Sequence, residues 1–179
     1  FPLLGALLPP LAARWGRNAC TRAALAVAGC TLLGAASPIL RAFHGTPSHV
    51  QLSWVPGAGL DLTLRLDGLS ALFVMLVAGI GMLVVVYARY YLSEKDSLGR
   101  LYGLLLVFMA SMLGVALSDN LLLLLVFWEM TSLSSFLLIG YWQHRADARQ
   151  GARMALIVTG AGGLAMLAEH IPEFAPYRP

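Results

Sequence analysis

The sequence predicts an all-α polytopic membrane protein, and three observations carry that prediction. Hydrophobic residues fill 59% of the 179 positions and charged residues only 12%, with a mean hydropathy of +0.76; soluble domains carry about a quarter charged residues. The apolar residues gather into separate runs of about the length, roughly 17–25 residues, that crosses a bilayer as a helix. These runs are continuous and do not alternate, which speaks against a transmembrane β-barrel. Finally, the basic residues fall in alternate loops, so the net charge of +3 has a topological explanation and nucleic-acid binding is not implied.

Six candidate spans follow in order: Phe1 to Ala13, Ala23 to Leu40, Leu69 to Ala88, Leu101 to Leu117, Leu121 to Trp142 and Met154 to Ala168. The first is short and contains Pro9-Pro10, so it reads as an incomplete crossing. The sixth has fifteen apolar positions before "EHIPEFAPYRP", where acids, a histidine and prolines are expected to stop the helix. Residues 1–168 are therefore expected to form the N-terminal transmembrane part of a larger module, with 169–179 an atypical tail. Both ends are expected to be truncated.

Taking alternate loops, Arg14, Arg17, Arg22, Arg89, Lys95, Arg100, Arg145, Arg149 and Arg153 share one side, nine of the twelve basic residues. The other side holds Arg41 and Arg65 with Asp61, Asp67 and Asp119. The positive-inside rule places the first group in the cytoplasm, the first residue outside, and Leu121 to Trp142 running inward.

Between spans two and three, Leu60, Leu62, Leu64 and Leu66 alternate with Asp61, Thr63 and Arg65, after a turn at Pro56-Gly57-Ala58-Gly59. That pattern predicts a short β-hairpin on the outer surface, one side against the helix ends and one side wet. Asp67 precedes the third span, where a carboxylate suits a helix N-terminus.

The run "NLLLLLVFWEMTSLSSFLLIGYW" holds one carboxylate, Glu129. Eight residues past Leu121, it sits about 12 Å into a hydrocarbon layer of about 30 Å. A charge there costs about 3 kcal/mol or more, so such acids face the bundle interior and mark ion or proton paths. At helical spacing its face carries Leu122, Leu125, Val126, Ser132, Leu133 and Phe136, of which only Ser132 is polar. Thr131, Ser132 and Ser135 are candidate supporting groups, with back-bonding to their own helix as the plain structural alternative. No Lys, Arg or His lies within any other candidate span, so the acid is expected to be protonated or paired with a cation outside these spans.

Other motifs carry less. "GAGGLA", Gly160 to Ala165, fits a loose dinucleotide fingerprint but lies in an apolar helix without a preceding strand, which favours helix packing. Cys20 and Cys30 are ten residues apart on one span and read as small apolar side chains. His44 and His49 read as solvated loop residues. No nucleophile, metal cluster or cofactor motif is found, so neither an enzyme nor a cofactor is expected.

The stretches "RLDGLSALFVMLVAGIGMLVVVYARYYL", "LYGLLLVFMASMLGVALSDNLLLLLVFWEMTSLSSFLLIGYWQHR" and "GARMALIVTGAGGLAMLA" resemble the large A-type subunit of multisubunit Mrp-type Na⁺/H⁺ antiporters. This group lies within the wider family of antiporter-like subunits that includes membrane subunits of respiratory NADH dehydrogenase. The resemblance runs from about Arg14 to Ala168, and Phe127 to Trp142 is its A-type segment. It implies an antiporter-like module of about fourteen helices built on inverted five-helix repeats. It further implies that Glu129 pairs with a lysine on a seventh helix, which this chain does not contain. The expected function is part of a bacterial cell-membrane antiporter subunit moving Na⁺ out against H⁺, with Li⁺ or K⁺ as other cations and further membrane subunits as partners. A proton-translocating subunit of a respiratory NADH-quinone oxidoreductase is the alternative, and an inert truncated membrane fragment is the alternative of another class.

Overall fold

The computed structural model describes residues 2–55, 60–94 and 96–174. In chain order it contains helices α1 (Pro2–Gly5) and α2 (Leu8–Ala12), a 3-10 turn (Ala13–Trp15), α3 (Arg17–Phe43), strands β1 (Ser48–Val55) and β2 (Leu60–Leu66), and helices α4 (Gly68–Tyr91), α5 (Leu98–Leu117), α6 (Leu121–Ile139) and α7 (Ala146–Phe174). Five of these, α3 to α7, are long and apolar enough to cross a membrane. The protein is thus an all-helical multi-pass membrane protein with one hairpin, as the sequence predicts.

Three boundaries differ from expectation. The N-terminal stretch is no continuous span, because Pro9 and Pro10 lack the amides that would bond the carbonyls of Gly5 and Ala6, and the helix breaks between α1 and α2. The pieces fold back along the first half of α3, through Gly16 at φ 104°, a left-handed conformation that glycine adopts without strain. The sixth expected span is full length, and α7 continues past Glu169 to Phe174. A proline near a helix C-terminus costs one amide bond while keeping a helical φ, and strong helix formers precede it here. Conversely, α6 stops at Ile139, with Gly140 as its cap, so Trp142 and His144 lie beyond it.

Successive long helices pack as neighbours, and α5 touches α1 to α4 as well as α6. The buried positions of α4 are Ala71, Val74, Ala78, Gly81, Val85 and Ala88, an alternating three- and four-residue spacing that makes one narrow stripe of small side chains. In lipid, where apolar burial gives helices no advantage, such stripes let backbones approach and gain dispersion contacts. Tyr102 is fully buried where α3, α4 and α5 meet. Its hydroxyl donates to the Val85 carbonyl at 3.0 Å and lies 3.3 Å from the Thr21 hydroxyl, so its polar tip is satisfied.

The hairpin is antiparallel, with Ser48 opposite Leu66 and Val50 opposite Leu64. The expected turn at Pro56-Gly57-Ala58-Gly59 lies outside the described residues. Leu66 packs with Ile39, Ala42, Ala71, Val74 and Leu113, while Arg65 and its cross-strand neighbour His49, on the other face, are exposed, giving one covered and one open side. An isolated bridge joins Leu64 to Ser118, and the Asp119 amide donates to the Thr63 carbonyl at 3.0 Å, tying the hairpin to the α5–α6 connection. Asp67 caps α4, its carboxylate accepting from the Ser70 amide at 2.9 Å.

The opposite end of the bundle is latched by polar contacts. Arg17 donates to the carbonyls of Leu92 and Ser93 at 2.9 and 2.8 Å. Asp96 accepts from the Ser93 amide and hydroxyl and from the Trp142 indole, and the Tyr141 hydroxyl donates to the Ser97 carbonyl at 3.1 Å. Arg14, Arg17, Arg22, Arg89, Arg100, Arg145, Arg149 and Arg153 gather at this end, whereas Arg41 and Arg65 lie at the hairpin end; Lys95 lies outside the described residues.

Two expectations follow. Single cysteines at His44, Ser48 or Asp119 in a Cys20→Ser, Cys30→Ser background should react from outside sealed cells with an impermeant thiol reagent. Cysteines at Asp96 or Asp147 should not, and outside labelling of either would reverse the orientation. The Ser70 amide holds the Asp67 carboxyl below its ordinary value of 3.8, and hydrogen bonds from Ser93 lower Asp96 likewise. Both contributions are complete above that value and are lost as pH falls through the lowered folded values. Thermal unfolding in detergent should therefore be level near neutral pH and drop in acid below 3.8, with a smaller drop in Asp67→Ala.

Candidate functional site

The position of the intramembrane acid is set by a helix cap and a seam between two helices. The Asn120 side chain accepts from the amides of Leu122 and Leu123 at 2.9 and 3.3 Å, which fixes the start of α6. Counting from Leu121, Glu129 lies about 12 Å along the helix. The Phe127 ring lies over Gly114 of α5, and the next two side chains are thereby turned toward α7. The Trp128 indole donates to the Thr159 carbonyl of α7 at 3.2 Å.

Glu129 itself rests on Gly163. A Cβ at that position would overlap the Glu129 Oε1 and would lie 3.1 Å from Trp128 Cδ1. One at Gly162 would stand 3.9 Å from Trp128 Cζ2. The "GAGGLA" motif thus serves helix packing of a specific kind: its paired glycines form a notch that takes the indole and the carboxyl together. The sequence contained the signal, a run of small residues, but not its target, because a small face says only that something comes close.

Two of the three hydroxyls named from the sequence, and Ser134 beside them, bond back within α6. Thr131 donates to the Phe127 carbonyl at 2.8 Å, Ser132 to that of Trp128 at 3.1 Å, and Ser134 to that of Met130 at 2.7 Å. Ser132 is buried and Ser135 half-buried. These back-bonds satisfy polar groups that lipid would not.

The helices are longer than the expected spans and take in cations at their ends: Arg17, Arg22 and Arg41 on α3, Arg89 on α4, Arg100 on α5, and Arg149 and Arg153 on α7. Arginine is a good helix former, and a span's polar end belongs to the same helix as its apolar middle. Arg149 and Arg153 line a hollow of about 390 Å³ between the end of α6 and the start of α7, with Phe136, Gly140 and Gln143. Arg149 donates to the Gln143 carbonyl at 2.9 Å. Arg153 is ten residues from Gly163, about 15 Å along α7, so neither cation reaches the acid. Among the described residues the ion pairs are Arg65 with Asp67 and Arg145 with Asp147. Phe136, on the Glu129 face two turns along, joins the basic hollow to the acid by one continuous seam.

Elsewhere, Cys20 is buried with its thiol donating toward the Pro9 carbonyl at 3.3 Å, and Cys30 is exposed. No group of three His, Cys, Asp or Glu that could hold a metal occurs among the described residues.

The bundle thus places one half-buried carboxyl on the seam between two membrane-length helices. Residues 54–102 match the family model described as the N-terminus of chain 5 of NADH-ubiquinone oxidoreductase (complex I), and residues 118–171 match that of the NADH:quinone oxidoreductase/Mrp antiporter transmembrane region. Together these matches span more than half of the sequence, and the chain belongs to this family. It is 61% identical over 118 residues to a probable K(+)/H(+) antiporter component of A/B type from Rhizobium meliloti, a match covering 66% of this chain and 12% of the relative. Identity is 53% over 124 residues with the A-type component of the Na(+)/H(+) antiporter of Alkalihalophilus pseudofirmus, covering 69% and 15%. Among solved structures, the Mrp complex from Dietzia sp. DQ12-45-1b superposes with a TM-score of 0.77 at 36% identity, over 93% of this chain and 18% of that one. An archaeal membrane-bound sulfane sulfur reductase has the same fold, with a TM-score of 0.76 at 19% identity over 90% of this chain and 33% of that one. The chain therefore spans about an eighth to a seventh of the length of these curated relatives.

The notch makes a sharp expectation. Gly163→Ala should destabilise the chain by about 1–3 kcal/mol, the usual range for overpacking. Gly160→Ala, where an added Cβ meets nothing within 4 Å, should be neutral or stabilising by up to about 1 kcal/mol. Thermal unfolding in detergent compares the two, and equal effects would remove the notch from the account.

Proposed function

We infer that this chain forms part of a monovalent cation/proton antiporter in a bacterial cell membrane, with the first residue outside, and that Glu129 carries the exchanged proton. One observation supports this above others: an acid about 12 Å deep is held against the α7 backbone without an ion-pair partner among the described residues. An ionisable side chain at that depth marks an ion or proton path by default. The α6–α7 seam supports a route, since the hollow with Gln143, Arg149 and Arg153 opens at the basic end. Ser132 and Thr131 then serve the helix rather than the proton, and Ser135 is left as the candidate supporting hydroxyl. Sodium is the proposed counter-ion, moving out as protons enter, with Li⁺ or K⁺ as other cations; the relatives' names include both Na⁺/H⁺ and K⁺/H⁺ antiporters. Other membrane subunits would complete the complex, and the chain would act in transport rather than as an enzyme. Residues 1–168 would form the module's leading transmembrane part, and 169–179 an atypical tail whose first residues continue α7.

A second reading, a proton-translocating subunit of a respiratory dehydrogenase, is favoured by the match of residues 54–102 to a complex I model. It shares the intramembrane acid and differs in the neighbouring subunits.

The test is substitution in the assembled complex. Glu129→Gln keeps shape and hydrogen bonding but removes titration, so sodium-dependent proton flux in vesicles should fall to background with assembly intact. Glu129→Asp should retain partial flux. A purely structural acid would behave oppositely, because burying an amide costs less than burying an unpaired charge. Full flux from the Gln variant would refute the carrier role.

A further inference from the structure

Away from the α6–α7 seam, the bundle end where α3 begins carries a second polar hollow of about 360 Å³, lined by Asn18, Thr21, Arg22, Arg89 and Tyr90. Arg22 and Arg89 come from neighbouring helices and are held by the same residue. Arg89 donates to the Asn18 side-chain oxygen through Nη2 at 2.8 Å and Nε at 3.2 Å, and Arg22 Nε donates to the Asn18 main-chain carbonyl at 3.3 Å. Those bonds fix two guanidinium planes without neutralising them. Neither takes part in the ion pairs among the described residues, which are Arg65 with Asp67 and Arg145 with Asp147. By contrast Arg17, one turn away, is bonded to the carbonyls of Leu92 and Ser93.

Depth decides what anion fits. Arg89 is in the last turn of α4 and Arg22 in the second turn of α3, where the bundle leaves the hydrocarbon layer and the lipid phosphates lie. Tyr90 lines the hollow, and Tyr87 and Tyr91 are exposed at the same level of α4; tyrosines at that level sit among headgroups with their rings toward the acyl region. Two fixed guanidinium forks match phosphate oxygens better than a single point charge would.

We propose that Arg22 and Arg89, positioned by Asn18 and rimmed by Tyr90, bind the phosphate of an anionic phospholipid. The site belongs to the α3–α4 face, remote from Glu129, and holds whether or not that acid carries protons. Each basic side chain at an anionic lipid surface contributes about a fivefold preference, so the pair should give about thirtyfold.

The experiment is native mass spectrometry of the purified chain in mild detergent, titrated with phosphatidylglycerol or phosphatidylcholine. Phosphatidylglycerol should be retained about thirtyfold better. Arg22→Gln with Arg89→Gln should remove most of that preference, while Arg14→Gln with Arg100→Gln, equal in charge at the same end, should remove markedly less of it. Should the first pair fail to fold, Asn18→Ala removes no charge but releases Arg89 from the oxygen that positions it, and should by itself lower the preference. Equal retention of the two lipids, equal loss in both double variants, or an unchanged Asn18→Ala protein would each overturn the proposal. Displacement of the lipid by millimolar inorganic phosphate would also overturn it, since the site would then recognise free anions.

Discussion

A carboxyl placed in the middle of an apolar helix constrains everything near it. Lipid offers no hydrogen bonds and no counter-charge, so the group must be covered by protein. In this chain the cover is a gap: Gly163 lacks the Cβ that would occupy the position of the Glu129 oxygen. The seam between α6 and α7 follows from that fit. Phe127 against Gly114 sets the rotation of α6, and the indole bond from Trp128 to the Thr159 carbonyl sets the height of α7.

The other polar groups inside the layer meet the same constraint differently. Thr131, Ser132 and Ser134 return to their own backbone, and Tyr102 is satisfied between α3 and α4. Each has a partner within one helix or across one close contact. Glu129 alone among these is a carboxyl, and it lies against a neighbouring helix at Gly163 instead of bonding back to its own, which separates it from hydroxyls at similar depth.

Basic residues at one end of the bundle divide by what they touch. Arg17 latches the α4–α5 connection, and Arg149 and Arg153 border the hollow at the foot of the acid's seam. Arg22 and Arg89 face outward, held by an amide instead of a carboxylate. A single charge bias in sequence thus ends in three different surroundings: a helix connection, a hollow between α6 and α7, and a polar face of α3 and α4.

The membrane class, the helical architecture, the hairpin with its covered and open sides, the Asp67 cap and the singular position of Glu129 were all legible in the sequence. Each rests on local pattern, and hydropathy and alternation act over one element at a time. Ends were less legible: the break at Pro9-Pro10, the early stop of α6 and the reach of α7 depend on whether neighbours supply packing that offsets a lost bond. Above all, the sequence located the acid but not its seat. Gly163 lies 34 positions beyond Glu129, and only the packing of α7 on α6 decides which glycine of "GAGGLA" meets the carboxyl. That choice turns on the rotation and height of two helices, set by long-range contacts that no single helix's periodicity encodes.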